Sequence, residues 1–236
     1  MNIKLEAVSK SYKKNQVLKN ITLEMNGPKI CGLLGRNGAG KTSLMKIIAG
    51  QKLPTSGNIM VNGLSPFENK KVLSHLCLIK ESNNFHRDMK VKDILDTCEK
   101  LYEAWDAHLA NKLIELYQLP QLTRVKNLSK GMESSLGVIV GLASGAKLTI
   151  FDEPYIGMDA VARSQFYDIL IELYEKGNRT FIFSTHLIDE ASLLFEQVLV
   201  IKDGEIILQA EADEMREEAF AVMGKKEEVE SFIADK

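Results

Sequence analysis

Residues Gly35 to Ser43, GRNGAGKTS, follow the apolar run Ile30-Cys31-Gly32-Leu33-Leu34 and lead into the helical run Ser43-Leu44-Met45-Lys46-Ile47-Ile48-Ala49. A strand that turns through a glycine loop into a helix is the context in which the spacing G-x-x-x-x-G-K-[ST] binds phosphate, and Gly35, Gly40, Lys41 and Thr42 meet that spacing. Arg36, Asn37, Gly38 and Ala39 fill the loop, with Gly38 an extra glycine that lets backbone N–H groups turn inward around an anion. The positive end of the following helix favours a triphosphate. Lys41 adds an ammonium for the outer phosphates, and the Thr42 hydroxyl is offered to Mg²⁺. With strand and helix both in place, a glycine-rich turn carrying a chance lysine is set aside. The motif by itself still leaves kinase, GTPase, helicase and transporter motor open.

With 236 residues, of which 45% are hydrophobic and 26% charged, the chain is large enough for one sizeable core with an inserted subdomain. Lys+Arg 30 against Asp+Glu 32 leaves a net charge of -2, so no general basic field exists to hold nucleic acid, and no nucleic-acid partner is expected. No apolar stretch approaches bilayer-spanning length and the N-terminal MNIKLEAVSKSYKK has no signal-peptide core, which points to the cytosol. Cys31, Cys77 and Cys98 are scattered and odd in number, so they read as small apolar fillers rather than as disulfides or zinc ligands.

The first 25 residues show short β-rich runs, Ile3 to Val8 and Ile21 to Glu24, about a polar turn at Lys13-Lys14-Asn15-Gln16; a further strand, Gly57 to Val61, ends in the turn Asn62-Gly63. These predict a small antiparallel sheet beside the phosphate loop. From Val91 to Leu119 the apolar period becomes helical (Val91, Ile94, Leu95, Cys98, then Leu109, Leu113, Ile114, Leu116), a helical insertion ahead of Pro120. Beyond it come the apolar strand Lys147 to Phe151, a helix near Ala160 to Glu175 and the strand Thr180 to Phe183. A helix near Ile188 to Phe195 and the strand pair Val198 to Ile201 and Glu205 to Leu208 follow. Buried strands alternating with helices predict an α/β parallel sheet. The stretch past Gln209 reads as acidic and irregular.

Asp152 and Glu153 close the apolar strand KLTIF, so a neighbouring strand is expected to deliver two carboxylates to the phosphate loop. Asp152 beside Thr42 suits a Mg²⁺ position, while Glu153 suits polarisation of a water attacking the γ-phosphate, a general-base role typically worth about 10²–10⁴ in rate. The alternative is a solvated acidic pair at a strand end. His186, in the run STH after Phe183, can hydrogen-bond the γ-phosphate, although a lone strand-end histidine is more often structural.

Leu128-Ser129-Lys130-Gly131-Met132, ahead of the FDEP strand, resembles the signature loop, usually LSGGQ, of ATP-binding-cassette (ABC) ATPases, and nearly the whole chain fits that cassette in order. The resemblance makes GRNGAGKTS the Walker A loop, KLTIFDE the Walker B strand and His186 the switch histidine. It makes Tyr12 the aromatic stacking on adenine and Gly157-Met158-Asp159 the loop facing the opposite subunit, with Asp159 also placed to cap the following helix. It implies a P-loop NTPase core with a parallel sheet, a small antiparallel β subdomain and an inserted helical subdomain. The ABC ATPase domain would span 1–209, with the insertion at about 85–128, and 210–236 would be a short acidic C-terminal segment whose natural end is open. It also implies that Ser129 and Gly131 contact ATP held by a second subunit, so that two cassettes close head to tail.

One position departs from the family. Its usual glutamine, which meets Mg²⁺ and the membrane subunit, is replaced within Leu78-Ile79-Lys80-Glu81-Ser82-Asn83-Asn84-Phe85. A lysine cannot ligate Mg²⁺, whereas Glu81 can. The shortened signature, with Lys130 and Met132 in place of glycine and glutamine, resembles bacterial two-component exporters, and within that group the run MKVKDIL to LSKGM to FDEP is most similar to YtrB-type cassettes. The expected function is therefore the ATP-binding and hydrolysing subunit of a bacterial exporter of peptide, antibiotic or lipid-like cargo. It would work as a homo- or heterodimer on the cytoplasmic face of the membrane, against membrane-spanning permease subunits docked near Phe85 to Lys92. Two other classes remain: a soluble ABC clamp on ribosomes or DNA, disfavoured by the single cassette and the charge, and a weakly hydrolysing nucleotide-gated regulator, prompted by the missing glutamine.

Overall fold

Three strands, β3 (Ile30–Leu34), β6 (Leu148–Asp152) and β7 (Thr180–Thr185), are buried at every residue, as central strands covered on both faces must be. In this computed structural model, which describes residues 1–185 and 191–218, they lie in a six-stranded sheet of order β5-β6-β7-β3-β8-β9. Here β5 is Leu76–Ile79, β8 Gln197–Lys202 and β9 Glu205–Glu211. Every pairing is parallel except β8 with β9, which is antiparallel. A second sheet of three antiparallel strands, β2-β1-β4, is formed by β1 (Ile3–Tyr12), β2 (Asn15–Met25) and β4 (Ser56–Val61).

Side chains alternate across the central strands and so divide the interior in two. Cys31 and Leu33, Leu148 and Ile150, and Ile182 point into one cluster with Leu5, Leu18, Ile21 and Ile59 of the antiparallel sheet and with Leu44, Met45 and Ile47 of α1 (Lys41–Ile48). Ile30, Leu34, Phe151, Phe181 and Phe183 point into the other, beneath α3 (Val91–Leu101), α4 (Ala107–Leu116), α5 (Lys130–Ala143) and α6 (Ala160–Lys176). Aromatic edges tie this second cluster together: Phe166 of α6 meets Phe151 edge-on with centroids 5.3 Å apart, and Phe195 packs on Phe183 at 5.0 Å. Each such fully buried ring contributes about 1.5–3 kcal/mol of transfer free energy. A four-residue helix, α2 (Lys70–Leu73), leads into β5.

One expectation is corrected. From Gln209 to Glu218 the chain is not irregular: β9 runs on to Glu211, paired with β8, and α7 (Ala212–Glu218) follows directly. The signature, read in sequence as a serine at a helix N-terminus, is the start of the helix α5, which packs against α3 and α4. His186, most of the helix expected near Ile188 and residues beyond Glu218 lie outside the described residues. No described helix is long and apolar enough to cross a membrane.

Candidate active site

Register sets the geometry. Leu34 pairs with Thr185 and Asp152 with Ser184, so Gly35 and Glu153 leave the sheet at nearly the same level, with β7 between them. That is the carboxyl edge of an open parallel sheet, where such folds hold ligands.

The phosphate loop folds as its glycines demand. Gly40 sits at φ 113° as the N-cap of α1, and a Cβ there would lie 2.7 Å from Leu18 Cδ2 and 3.0 Å from the Val17 carbonyl oxygen, so only glycine fits. Gly40 supplies no side-chain cap, and the first N–H groups of α1 have no carbonyl one turn back inside the helix. This uncapped N-terminus fits an anion. Lys41, buried, curls over the loop with Nζ donating to the carbonyls of Gly35 at 2.5 Å and Arg36 at 3.3 Å. Thr42 Oγ1 donates to Asp152 Oδ2 at 2.6 Å, and Ser184 Oγ donates to Asp152 Oδ1 at 2.9 Å, which fixes both carboxylate oxygens.

Glu153 is held differently. Its backbone takes a left-handed φ of 50°, an uncommon and costly conformation for a non-glycine residue. Its N–H donates to Ser184 Oγ at 3.1 Å, its Oε1 lies 3.9 Å from Lys41 Nζ and its Oε2 accepts from Tyr155 at 3.0 Å. Arg36, Asn37, Gly38, Gly40 to Ser43, Asp152 and Glu153 line a single cavity of about 390 Å³. Its remaining walls are Val17, Glu81 and Ile156. Between the two candidates at the departed position, it is Glu81 that reaches the cavity; Lys80 turns away, with Nζ donating to the Asn83 carbonyl at 2.9 Å. Gly35 and Ala39 face a neighbouring cavity with Val200 and Ile201. Tyr12 is not brought to the phosphate-loop cavity: it stands at the end of β1, 42% exposed, with Lys10 Nζ 5.3 Å from its ring centre. Val17 forms the wall on that side.

Ser129, Gly131 and Asp159 gather round a second cavity of about 540 Å³ that shares no lining residue with the first. Ser129 caps α5, its Oγ accepting from Met132 N at 3.2 Å; Asp159 caps α6, accepting from Ala162 N at 2.8 Å. Each such cap is worth about 1 kcal/mol. A Cβ on Gly131 would lie 2.4 Å from the Gly157 carbonyl oxygen, so a glycine is what lets α5 and the 157–159 loop touch. The other end of α5 is fixed by Arg179, which sequence analysis did not single out. Its guanidinium donates to the carbonyls of Gly141, Leu142 and Ala146 and to Thr149 Oγ1, and burial holds its pKa down at about 10. Nothing in a linear pattern marks such a residue, because its partners lie 30 and more positions away.

A parallel sheet, a phosphate loop at its carboxyl edge and a carboxylate pair on the next strand but one define a P-loop nucleoside triphosphatase, here with a second cavity built on the signature helix. The sequence profile of the family described as ABC transporter matches residues 18–156, more than half of the chain, and the chain belongs to that family as one of its ATP-binding ATPase cassettes. It is similar to the ABC transporter ATP-binding protein YtrB of Bacillus subtilis, 27% identical over 92% of this chain and 74% of that protein. It is also similar to the lantibiotic transport ATP-binding protein SrtF of Streptococcus pyogenes, 31% identical over 89% and 91% respectively. Among solved structures, an ATP-binding subunit of an ABC transporter superposes with a TM-score of 0.82 at 21% identity, covering 92% of this chain and 93% of its own. A dimeric cassette with ADP and phosphate gives 0.78 at 20% identity, covering 89% and 98%. At those identities the superpositions show the fold alone.

Proposed function

We propose that this chain is the ATP-hydrolysing subunit of a bacterial exporter and that its catalytic unit is a dimer. The observation that carries the dimer is the separation of the phosphate-loop cavity from the cavity of Ser129, Gly131 and Asp159. A second cassette, identical or homologous, would bring its signature helix to this chain's phosphate loop, and this chain's signature to the other. Export is supported by relatives named for lantibiotic transport and Nod factor export, against one named for sulfate/thiosulfate import. A peptide, antibiotic or lipid-like cargo, permease subunits at the cytoplasmic face of the membrane and a docking surface near Phe85 to Lys92 belong to the same proposal.

In this mechanism the N–H groups of the loop and of α1 hold the phosphates, and Lys41 exchanges its two loop carbonyls for phosphate oxygens. Thr42, Asp152 and Glu81 are the oxygen donors that would hold Mg²⁺; two carboxylates and a hydroxyl suit an ion that takes one or two carboxylates and completes its shell with water and phosphate. When bound, Mg²⁺ neutralises charge on the outer phosphates. Glu153 accepts a proton from water as the water oxygen bonds to the γ-phosphorus, the bond to the ADP oxygen breaks, and ADP and inorganic phosphate leave. His186 and Tyr12 are proposed to contact the γ-phosphate and the adenine of that bound ATP.

The test is size exclusion with light scattering on Glu153→Gln, which should retain bound ATP. A dimer at millimolar ATP that is absent with Lys41→Ala is the expected result; a monomer at saturating ATP would refute a homodimer built on the two cavities.

A further inference from the structure

We infer that Tyr155 is a positioning residue for ATP hydrolysis, its phenol fixing the carboxylate of Glu153 that receives the proton from water. The inference rests on the reading of Glu153 as general base. Tyr155 follows β6 by three residues, is 2% exposed and lines neither cavity described above, so it cannot touch the nucleotide there. Its hydroxyl oxygen lies 3.0 Å from Glu153 Oε2 and 2.5 Å from Thr185 Oγ1. A phenol has one proton and an ionised carboxylate can only accept, so Tyr155 donates to Glu153 and takes its second bond from the Thr185 hydroxyl. That places the phenol as a brace between the loop after β6 and the last residue of β7.

The geometry explains why a brace is needed. Glu153 has left the sheet at φ 50° and no longer has a strand neighbour to set its side chain. Lys41 Nζ faces Oε1 from one side and Tyr155 faces Oε2 from the other, so the two groups define the plane of the carboxylate. In the proposed mechanism Lys41 moves to phosphate when ATP binds. Tyr155 is then a neutral partner that still bonds Oε2 and holds the base in place, without adding a charge that would oppose proton acceptance. Bonds of this kind, from a neutral donor to a charged acceptor, are among the stronger ones inside proteins. Their geometric effect on a reacting group shows in turnover rather than in ground-state binding.

The experiment compares the purified full chain with Tyr155→Phe, Glu153→Gln and the double variant, measuring steady-state kcat and KM and, separately, affinity for a fluorescent ATP analogue. Phenylalanine keeps the buried ring, so the fold is retained. Tyr155→Phe is expected to lower kcat roughly ten- to hundredfold, the equivalent of one hydrogen bond to a charged group, with nucleotide affinity within about twofold of wild type. Adding Tyr155→Phe to Glu153→Gln is expected to change nothing further, because the phenol acts only through that carboxylate. If kcat of Tyr155→Phe is unchanged while Glu153→Gln is inactive, the inference fails and the general base stands. An equal loss of rate and nucleotide affinity, or a loss that persists in the Glu153→Gln background, also overturns it. If Glu153→Gln hydrolyses at the wild-type rate, the general-base reading falls and takes this inference with it.

Discussion

Replacing Arg179 by methionine is expected to destabilise the protein by about 2–4 kcal/mol, which can be worked from its contacts. The guanidinium makes four hydrogen bonds, at 3.0 Å to Ala146 O, 2.7 Å to Leu142 O, 3.1 Å to Gly141 O and 3.0 Å to Thr149 Oγ1, and its Cζ lies 4.9 Å from the centre of the Phe181 ring. Gly141 and Leu142 belong to the last turn of α5, whose carbonyls have no partner inside the helix, and a cation there also opposes the negative end of the helix dipole. At about 1.5 kcal/mol per charge-assisted bond the gross loss is roughly 6 kcal/mol. Part of that returns, because methionine relieves the burial of charge that holds the guanidinium pKa down at about 10. Methionine keeps most of the apolar stem, so little packing is lost. For a chain of this size the net change corresponds to a fall in Tm of roughly 4–16 °C, read from urea unfolding and thermal melts followed by circular dichroism. Arg179→Lys should recover less than half of the loss, since one ammonium cannot reach four acceptors set around a planar fork. A methionine variant within about 0.5 kcal/mol of wild type, or full rescue by lysine, would show that α5 is not held through this end.

Two further outcomes follow from burial and close contact. Burial pushes the thiols of Cys31 and Cys98 up to about 12 and that of Cys77 in the same direction, so thiolate is scarce at neutral pH and increases only as pH rises. At pH 8 the native protein should therefore show almost no reaction with Ellman's reagent and three reactive thiols after unfolding; fast native labelling of even one thiol would contradict their burial. Gly131→Ala places a Cβ 2.4 Å from the Gly157 carbonyl oxygen, a backbone atom that cannot swing aside, and should cost about 1–3 kcal/mol while prising the signature helix from the 157–159 loop. Nucleotide affinity should be preserved and ATP-driven dimerisation of the Glu153→Gln protein lost, so a wild-type dimer by light scattering would refute the proposed role of this contact.

What could be read from sequence is what depends on local chain chemistry. The phosphate loop is legible because its glycines serve its own backbone, and β3, β6 and β7 because burial on both faces turns a strand into an unbroken apolar run. The helix α5 is legible at its N-terminus, but its length is not, for a related reason. From Ser134 to Ala143 every residue is buried, so the helix has no polar face, the 3.6-residue period vanishes, and glycines at 137 and 141 argue against a helix. Tyr12 stands at the exposed end of β1, beside Lys10, and Val17, two residues into β2, forms the cavity wall on that side.

The residues that hold the site in shape were the least legible, and their physics explains why. Tyr155 and Arg179 act through partners that only the parallel register makes neighbours: Thr185 lies 30 positions from Tyr155, and Gly141 lies 38 from Arg179. Both reach across β6 and β7, one at the edge where Glu153 emerges and the other at the opposite edge, where α5 ends. The chemistry-bearing groups sit on turns at strand ends and the groups that orient them are spread over the sheet. Substitutions of the first kind should therefore abolish nucleotide binding or hydrolysis outright, whereas substitutions of the second should leave ATP bound and reduce turnover or stability. That division separates a brace such as Tyr155 from a ligand such as Lys41 in a single pair of measurements, affinity and kcat.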